Sequence, residues 1–215
     1  MQTPPAILCI GQNYSEHATE MGQEGATELV LFMKNPATVI ANGDSIVIPS
    51  CCEHEVDYEG ELAVFIGEDC KDVSVDAAMN YVAGYAVAND VSARVWQKQK
   101  NGGQFIRGKS FDTFCPLTQM VDAKEIGDPQ SLMIKTTLNG AAMQESSTAC
   151  MIRGVAELIS ELSTDMTLLK GTILLTGTPS GVGIARTPQV FLQDGDEVTV
   201  EIEGVGTLTN SVIKK

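Results

Sequence analysis

The sequence has 215 residues, of which 28 are acidic and 14 are basic, and its formal net charge at pH 7 is -14. This charge argues against nucleic acids and anionic membranes as partners, because both select basic surfaces. The chain is 43% hydrophobic but contains no run of about 18 apolar residues, which argues against a membrane-spanning helix and indicates a globular protein.

Short apolar runs bounded by Gly, Pro and Asn dominate the chain and predict strands. In chain order they are AILCI near residue 8, LVLFM near 31, SIVI near 47, ELAVFI near 64, YVAGYAVA near 85, LMIKTTL near 135, ILLT near 174 and VTVEI near 200. The pair Asn139-Gly140 after the sixth run is a hairpin signal. Helices are predicted from Tyr14 to Met21, from Asp76 to Tyr81 and from Thr148 to Leu162. Because strands outnumber helices without regular alternation, we expect a β-rich α+β domain.

We expect one domain over residues 1–215, since this length supports one substantial core. The segment MQTPPAILCIGQNYSEH lacks the basic region of a secretory signal, so we expect a cytoplasmic protein. The six cysteines have neither the spacing of a disulfide framework nor that of a C-x-x-C zinc site, and we expect reduced, mostly buried thiols. The cluster CCEHE at residues 51–55 is a poor zinc chelator, because neighbours on an extended chain point to opposite faces.

The segment GGQFIRGKSFD at residues 102–112 contains the G-x-x-x-x-G-K-S pattern of a phosphate-binding loop. Such a loop needs a buried strand before it and a helix that begins at the Lys-Ser pair. The preceding RVWQKQKN is too polar for a buried strand, and the following SFDTFCP does not have helical spacing. We therefore predict no nucleotide-binding site, and Lys109 needs another explanation.

Basic residues are concentrated between Val91 and Phe111, where the sequence has no Asp or Glu. One interpretation is a solvated basic loop. The other is a local positive funnel for an anionic small molecule on an otherwise acidic protein. The basic side chains concerned are Arg94, Lys98, Lys100, Arg107 and Lys109.

Carboxylates occur at the ends of two apolar runs. In YEGELAVFIG, Glu59 and Glu61 lie on the same face of a strand, about 6 to 7 Å apart, because residues two apart share a face. The run YVAGYAVA ends in Asn89-Asp90. If the two strands are neighbours, Glu59, Glu61 and Asp90 form an oxygen-ligand site that suits Mg²⁺ or Mn²⁺ rather than zinc. The spacing alone also allows an exposed strand end with solvated acids.

His17 and Glu20 in NYSEHATEMG are three residues apart and share one face of a helix. A carboxylate beside a histidine can orient the ring and make it more basic, as a general base requires. The same spacing is also common in surface pairs of no catalytic role.

Several ordered motifs over nearly the whole chain resemble the short, single-domain form of the fumarylacetoacetate hydrolase family, similar to its acylpyruvate and fumarylpyruvate hydrolases. The motifs are CIGQNYSEHATEMG, LFMKNPATVI, YEGELAVFIG, GYAVANDVSAR, KSFDTFCPL, LLTGTPSGVG and LQDGDEVTVEIEGVGTLTNSV. The resemblance implies mixed β-sheet layers of the family's C-terminal-domain type, with few short helices. It also implies a divalent metal, Mg²⁺ or Mn²⁺, and a homodimer.

The resemblance assigns roles to the candidate residues. It implies that Glu59, Glu61 and Asp90 hold the metal and that His17 and Glu20 form a water-activating dyad on a lid. Lys109 would lie in the active site beside an organic anion.

Substrate binding is implied for Arg94, for Gln97 and for the TGTPSGVG loop around Thr178. One departure is Val95, where many relatives have Asp in the motif S-A-R-D.

Members of the family act on small anionic 2-oxo acids. We expect hydrolysis of a carbon-carbon bond in 2,4-dioxo acids of the acylpyruvate or fumarylpyruvate type, which gives pyruvate and a carboxylic acid. The alternative is an isomerase or decarboxylase of a related 2-oxo or 2-hydroxydienoate acid, such as oxaloacetate or an acid of aromatic catabolism. A non-catalytic protein that keeps the fold and binds a ligand is a third possibility.

Overall fold

The structure of the protein is a computed structural model that describes residues 3–20, 28–52 and 54–215. In these ranges strands β1 to β15 are, in chain order, Ile7–Gly11, Val30–Lys34, Val39–Ala41, Ile46–Ile48, Val56–Asp57, Gly60–Ile66, Val82–Asn89, Ser92–Ala93, Cys115–Leu117, Val121–Asp122, Met133–Leu138, Ala141–Ser147, Ile173–Leu175, Glu197–Ile202 and Gly206–Lys214. Helices α1 to α5 are Ser15–Glu20, Val75–Ala78, Arg94–Lys98, Phe105–Lys109 and Val155–Ser163. The predicted β-rich α+β fold with few short helices is confirmed.

The strands form two main sheets and one small ribbon. The larger sheet has the order β2-β1-β13-β6-β7-β9-β3, with β10 also paired to β7. The second has the order β12-β11-β14-β15-β4, and β5 pairs with β8 in the ribbon. Parallel and antiparallel pairs occur in both main sheets, for example β1 with β13 and β1 with β2. The sheets are therefore mixed.

Strand β6 separates two cores, as its alternating pattern predicts. Leu62, Val64 and Ile66 pack into a core shared with the second sheet and α5. Ala63 packs on the opposite face in a separate cluster with residues of β1, β9 and β13. Burial of apolar surface on both faces stabilises this strand. The close packing also holds the start of β6 in place, where Glu59 and Glu61 lie.

Close approach of the second sheet requires glycine at position 60. A Cβ atom there would lie 3.0 Å from Cγ1 of Val200 and nearer still to the hydroxyl of Thr136. Because distances this short are not tolerated between packed atoms, a larger residue would push the sheets apart. Gly60 thus lets the second sheet pack against the strand between Glu59 and Glu61.

The predicted hairpin and two of the predicted helices are found, with shifted ends. Asn139 and Gly140 have φ angles of 51° and 79°, as a two-residue turn between β11 and β12 requires. The helix predicted from Tyr14 to Met21 is α1, which begins at Ser15, and Met21 lies outside the described residues. The helix predicted from Asp76 to Tyr81 is α2 followed by a 3₁₀ turn.

The predicted start of the longest helix, at Thr148, is wrong. Residues 148–150 form a 3₁₀ turn, and α5 begins only at Val155. The intervening backbone is bound instead by Asn13, whose carbonyl and side-chain oxygens accept the N–H groups of Ile152 and Arg153. Tertiary hydrogen bonds therefore override the helical spacing of this segment. Of the helices in the described ranges, none has both the length and the apolar character that a bilayer crossing requires.

Candidate active site

Antiparallel pairing of β6 with β7 brings the three predicted carboxylates together. Gly60 pairs with Asn89, and the N–H of Asp90 donates to the carbonyl oxygen of Glu59 at 2.8 Å. One carboxylate oxygen from each of Glu59, Glu61 and Asp90 lies within 4.8 Å of the others, and all three residues are buried. The exposed strand end that the spacing also allowed is thus not formed. In the part of the chain that the structure describes, this is the one such group of three or more potential ligands.

A buried chain of ion pairs surrounds these carboxylates. The Nζ of Lys109 donates to Oε2 of Glu59 at 2.5 Å and to Oδ2 of Asp90 at 2.7 Å. The guanidinium of Arg94 donates to Oε1 of Glu59 at 2.6 Å. Lys34 donates to the second oxygen of Asp90 at 2.5 Å. Glu59 and Asp90 are therefore each held by two cations.

Glu61 is the exception in this network. Its carboxylate accepts the backbone N–H of Gly177 at 2.7 Å, and it forms no ion pair with any side chain in the described ranges. Burial raises the pKa of Glu61 well above its usual value, and repulsion from Asp90 and Glu59 raises it further. An additional cation at this position would relieve both effects.

The charges of the site as a whole lead to the same conclusion. With every carboxylate ionised, carboxylates outnumber cations by one among the side chains of the ion-pair network and Glu61, which leaves an excess negative charge in a region of low dielectric. A divalent ion bound by oxygen ligands would reverse that excess, and the donor set suits Mg²⁺ or Mn²⁺. The residues therefore fit a divalent metal. The charged groups are Asp57, Glu59, Glu61 and Asp90 with Lys34, Arg94 and Lys109.

The pKa shifts of Glu59 and Lys109 show how strongly the network is coupled. Burial raises the pKa of Glu59, but Lys109 and Arg94 outweigh burial and lower it to about 2. Burial lowers the pKa of Lys109, but the neighbouring carboxylates Asp90 and Glu59 outweigh burial and hold it above its usual range. Glu59 is therefore a carboxylate and Lys109 an ammonium group at neutral pH.

His17 and Glu20 form a hydrogen-bonded pair on α1. Nδ1 of His17 lies 2.7 Å from Oε1 of Glu20, and the carboxylate of Glu20 also accepts the N–H of Gly181, at 2.9 Å to Oε2. The histidine is only 6% exposed. The carboxylate thus orients the ring from one side and anchors α1 to the loop after β13, which leaves Nε2 as the ring nitrogen available to a ligand.

An open cleft of about 330 Å³ joins these groups, which is at the small end of the usual range for small-molecule sites, roughly 300 to 1,000 Å³. Most of the predicted site residues line it directly: His17, Glu59, Glu61, Arg94, Gln97, Lys109 and Thr178. Glu20 and Asp90 stand behind this lining and are hydrogen-bonded to His17 and Lys109. The structure therefore brings all the predicted site residues together around one cleft.

The loop after β13 is fastened to the carboxylate strand by hydrogen bonds. Gly177 adopts a φ of +101°, and a Cβ atom there would lie 2.9 Å from Cβ of Asn13, so only glycine fits. The Thr178 hydroxyl donates its proton to the carbonyl oxygen of Gly60 at 2.9 Å and accepts from Gln144 at 2.7 Å. Because that proton is already used, a substrate anion at Thr178 would need its backbone N–H instead.

Three buried polar residues of the site were missed by the sequence analysis. Asp57 accepts from Nε of Arg94 at 2.8 Å, Lys34 binds Asp90, and Gln144 links Gly60 to the loop at Thr178 and Pro179. Lys34 lies within the motif LFMKNPATVI, and Asp57 immediately precedes the motif YEGELAVFIG. These positions in or beside the motifs were the signal that the sequence offered for the two residues. Gln144 comes from the second sheet and has no such signal.

The phosphate-loop pattern does not have the surroundings that phosphate binding needs. Residues 101–103 form a 3₁₀ turn after α3, and no strand enters the loop. Helix α4 begins at Phe105 and ends at Lys109, so the lysine lies at the carboxyl end of a helix rather than at its start. The exclusion of a nucleotide site on sequence grounds agrees with this geometry. Lys109 instead faces the carboxylates of the cleft.

The cysteines are unpaired, as predicted, and four of the six are buried. Cys51 and Cys150 are the exposed ones. The described part of the CCEHE cluster does not form a group of potential metal ligands, and Glu53 lies outside the described residues.

Comparison with known proteins identifies the family. The sequence model of the fumarylacetoacetate (FAA) hydrolase C-terminal domain matches residues 6–213. This chain belongs to the fumarylacetoacetate hydrolase family. It is 44% identical over 211 residues to the mitochondrial oxaloacetate tautomerase FAHD2A of Bos taurus, and the alignment covers 98% of this chain and 67% of that protein. The mitochondrial oxaloacetate tautomerase FAHD2A of Homo sapiens is 42% identical, with the same coverage.

Solved structures of the family share the fold over nearly the whole chain. The 5-carboxymethyl-2-hydroxymuconate delta-isomerase of Mycobacterium smegmatis has a TM-score of 0.87 and 38% identity, and the match covers 99% of this chain and 80% of that one. A fumarylacetoacetate hydrolase from Exiguobacterium antarcticum has a TM-score of 0.90 and 41% identity, with 99% and 76% coverage. The family thus includes proteins named as tautomerase, isomerase and hydrolase at similar distance from this chain.

Proposed function

We propose that this chain is a divalent-metal-dependent isomerase that interconverts the keto and enol forms of a small 2-oxo acid, with oxaloacetate as substrate. The observation that carries the proposal is one cleft that combines an oriented histidine, a buried ammonium group and a carboxylate triad. Relatives at 42% and 44% identity are named oxaloacetate tautomerases. These names favour the isomerase alternative over the hydrolase that the sequence resemblance suggested first.

The residues that would hold the metal are Glu59, Glu61 and Asp90. When bound, a divalent ion supplies a Lewis acid that polarises the 2-oxo group and offsets negative charge on the substrate oxygens. The excess negative charge of the buried site and the unpaired Glu61 are the features that suit such an ion.

His17 has the geometry of the proton-transferring base. Its Nε2 would remove a proton from C3 of the keto form, and the electron pair of that C–H bond would become the C2=C3 double bond of the enol. The former carbonyl oxygen would take up a proton, so the reaction is balanced without water. Glu20, which lies 2.7 Å from Nδ1, would stabilise the charged imidazolium between the two transfers.

Lys109 would stabilise the negative charge that develops on the 2-oxo oxygen. An ammonium group has three N–H donors, and two of them are used by Glu59 and Asp90. The third is available to a ligand in the cleft that Lys109 lines. Removal of a donor of this kind typically slows a reaction by about 10²- to 10³-fold.

Carbon-carbon bond hydrolysis is the second candidate function. The same histidine and glutamate could activate water, and the similar protein from Exiguobacterium antarcticum is named a fumarylacetoacetate hydrolase. Hydrolysis differs from tautomerisation in its products, because it releases pyruvate and a free acid from a 2,4-dioxo acid. Decarboxylation of oxaloacetate would release pyruvate and carbon dioxide.

The test is to follow the enol absorbance of oxaloacetate with Mg²⁺ or Mn²⁺ and after treatment with EDTA, while pyruvate is assayed separately. We expect metal-dependent loss of the enol signal without pyruvate. In His17→Ala the rate should fall by about 10²- to 10⁴-fold, the usual contribution of a positioned base. The matched control is His54→Ala, which removes the other histidine of the chain, an exposed residue outside the cleft, and should act like wild type.

Two results would contradict the proposal. Equal rates in His17→Ala and wild type would show that the histidine does not transfer the proton. Metal-dependent release of pyruvate from acetylpyruvate, with no effect on the oxaloacetate enol, would establish the hydrolase instead. The homodimer and the cytoplasmic location remain predictions, and the relatives named above are described as mitochondrial.

A further inference from the structure

The basic residues between Val91 and Phe111 do not share one environment. Arg94 and Lys109 are buried in ion pairs with carboxylates. Outside the cleft, Nζ of Lys100 lies 4.6 Å from the ring centre of Trp96, and the guanidinium of Arg107 lies over the same ring at 5.4 Å. These four cations therefore already have partners.

Lys98 is different from the other four. It lines the cleft, yet in the described ranges it forms no salt bridge, no hydrogen bond and no contact with an aromatic ring. Its side chain is exposed to solvent at one side, so its ammonium group is partly hydrated and is not neutralised by a direct carboxylate contact. A cation that borders a ligand cleft without a carboxylate partner is a recognition element for an anion.

The position of Lys98 on α3 sets its distance from the buried charges. Arg94 begins the helix and Lys98 ends it, so the two residues share one helix face about 6 Å apart along the axis. Arg94 contacts Glu59 at the floor of the cleft, and Lys98 stands one helical turn nearer to solvent. Partial burial lowers the pKa of Lys98, and the nearby charge of Arg94 lowers it further, which agrees with this placement.

The cleft also has apolar walls. Ile10, Phe32 and Phe105 line it, and the rings of Phe32 and Phe105 pack edge to face at 5.4 Å between centres. Such walls suit a short carbon chain rather than a second cluster of polar groups. A ligand with an oxygen-rich end, a few carbon atoms and a second anionic group matches these three kinds of lining.

We propose that Lys98 binds the distal carboxylate of the substrate and selects dicarboxylic 2-oxo acids over monocarboxylic ones. This inference rests on the proposed function, because it takes the carboxylate triad as the site of the 2-oxo acid end. The segment around Lys98 supports it, since residues 91–111 contain no Asp or Glu and no carboxylate in the described ranges forms a salt bridge with the ammonium group. The interaction is a solvent-bordered ion pair, so it contributes to substrate affinity rather than to the chemical step.

The kinetic test compares oxaloacetate with its 4-ethyl ester, which lacks the distal charge. In Lys98→Met we expect KM for oxaloacetate to rise about fivefold at low salt, equivalent to about 1 kcal/mol, with kcat nearly unchanged. KM for the ester should rise less than about twofold, and the effect on oxaloacetate should shrink at high ionic strength. Lys98→Arg should restore the selectivity. The matched control is Lys100→Met, which removes a cation that stacks on Trp96 outside the cleft.

A binding test that needs no turnover separates this inference from the proposed function. Calorimetric titration of the Mn²⁺-loaded protein with 2-oxoglutarate and with 2-oxopentanoate compares two acids of equal chain length. Wild type should bind the dicarboxylate more tightly, and Lys98→Met should lose that preference. If the preference depends on Lys98 but oxaloacetate is not turned over, the proposed function fails and the role of Lys98 stands. Three results would overturn the role of Lys98. They are equal affinities of wild type for the two acids, no binding of either acid, and equal losses of affinity for both acids in Lys98→Met.

Discussion

Asp57 should be the most sensitive single position outside the residues assigned to chemistry. It is fully buried and accepts from Nε of Arg94 at 2.8 Å, while its oxygens also accept the N–H groups of Gly183 and Ile184 at 2.8 and 3.0 Å. One carboxylate thus connects the guanidinium of the site to the turn that follows the loop after β13. The informative substitution is Asp57→Asn, which preserves size and removes the charge.

The expected cost follows from what the amide cannot do. Asparagine offers one oxygen, so its NH₂ group must replace either Oδ2, which accepts from Arg94 and Ile184, or Oδ1, which accepts from Gly183. In both orientations an N–H donor then opposes another donor. Loss of one partner from a buried ion pair typically destabilises a protein by about 3 to 5 kcal/mol. For a chain of this length, 1 kcal/mol shifts Tm by roughly 2 to 4 °C, so Tm should fall by about 6 to 20 °C.

The measurement is thermal unfolding by circular dichroism, together with steady-state kinetics at a temperature where both proteins are folded. The matched control is Asp112→Asn, at an exposed aspartate with no ion pair in the described ranges, which should change stability by less than about 0.5 kcal/mol. We also expect a raised KM in Asp57→Asn, because Arg94 loses the partner that fixes its guanidinium. A variant with wild-type Tm and wild-type KM would refute the argument that Asp57 holds Arg94.

Metal binding, sheet packing and thiol chemistry give further tests. In Glu61→Gln, the affinity for Mn²⁺ measured by calorimetry should fall by at least about 10- to 100-fold, since this loss is typical even for residues that only hydrogen-bond to a metal ligand. An unchanged Kd for Mn²⁺ would show that Glu61 is not a ligand. Gly60→Ala should lower the free energy of unfolding by about 1 to 3 kcal/mol through overpacking. The control Gly127→Ala should not, because an added Cβ atom there meets no atom within 4 Å. Equal Tm values for the two variants would contradict the close packing of the sheets at Gly60. Burial raises the pKa of Cys115 to about 12, so at pH 8 it is a protonated, inaccessible thiol. Iodoacetamide should therefore label exposed Cys150 first, as peptide mass spectrometry would show, and equal native labelling would disprove the buried environment.

Local apolar patterning located eight of the fifteen strands in the described ranges and the shared face of Glu59 and Glu61, but it missed others, among them the nine-residue β15. It gave the meeting of Glu59 and Glu61 with Asp90 only as one of two alternatives, because that meeting depends on the pairing of β6 with β7, and the family resemblance was needed to choose between them. The helix predicted from Thr148 failed for a related reason, since Asn13, more than a hundred residues away in sequence, binds the backbone that would have continued it. Contacts that are distant in sequence decided both outcomes.

The residues that sequence reasoning missed are polar groups inside strands. Asp57, Lys34 and Gln144 belong to β5, β2 and β12, where a single polar residue normally faces solvent. Their burial is tolerated because each is matched by an opposite charge or by hydrogen bonds from another element. No one-dimensional pattern identifies such matching, because the partners come from different strands and loops.

Val95 shows why the missing acid of the S-A-R-D motif does not leave Arg94 unsupported. The guanidinium is held by Asp57, by Glu59 and by Oε1 of Gln97, the last at 3.0 Å, and none of these contacts uses the side chain at position 95. The backbone N–H of Val95 instead donates to the carboxylate of Glu55, which supplies a negative charge at the amino end of α3, where the helix dipole favours one. An acid at position 95 would add like charge beside Glu55. Helix α3 therefore keeps Arg94 directed to the carboxylates at one end and leaves its other end free to present a cation at the mouth of the cleft.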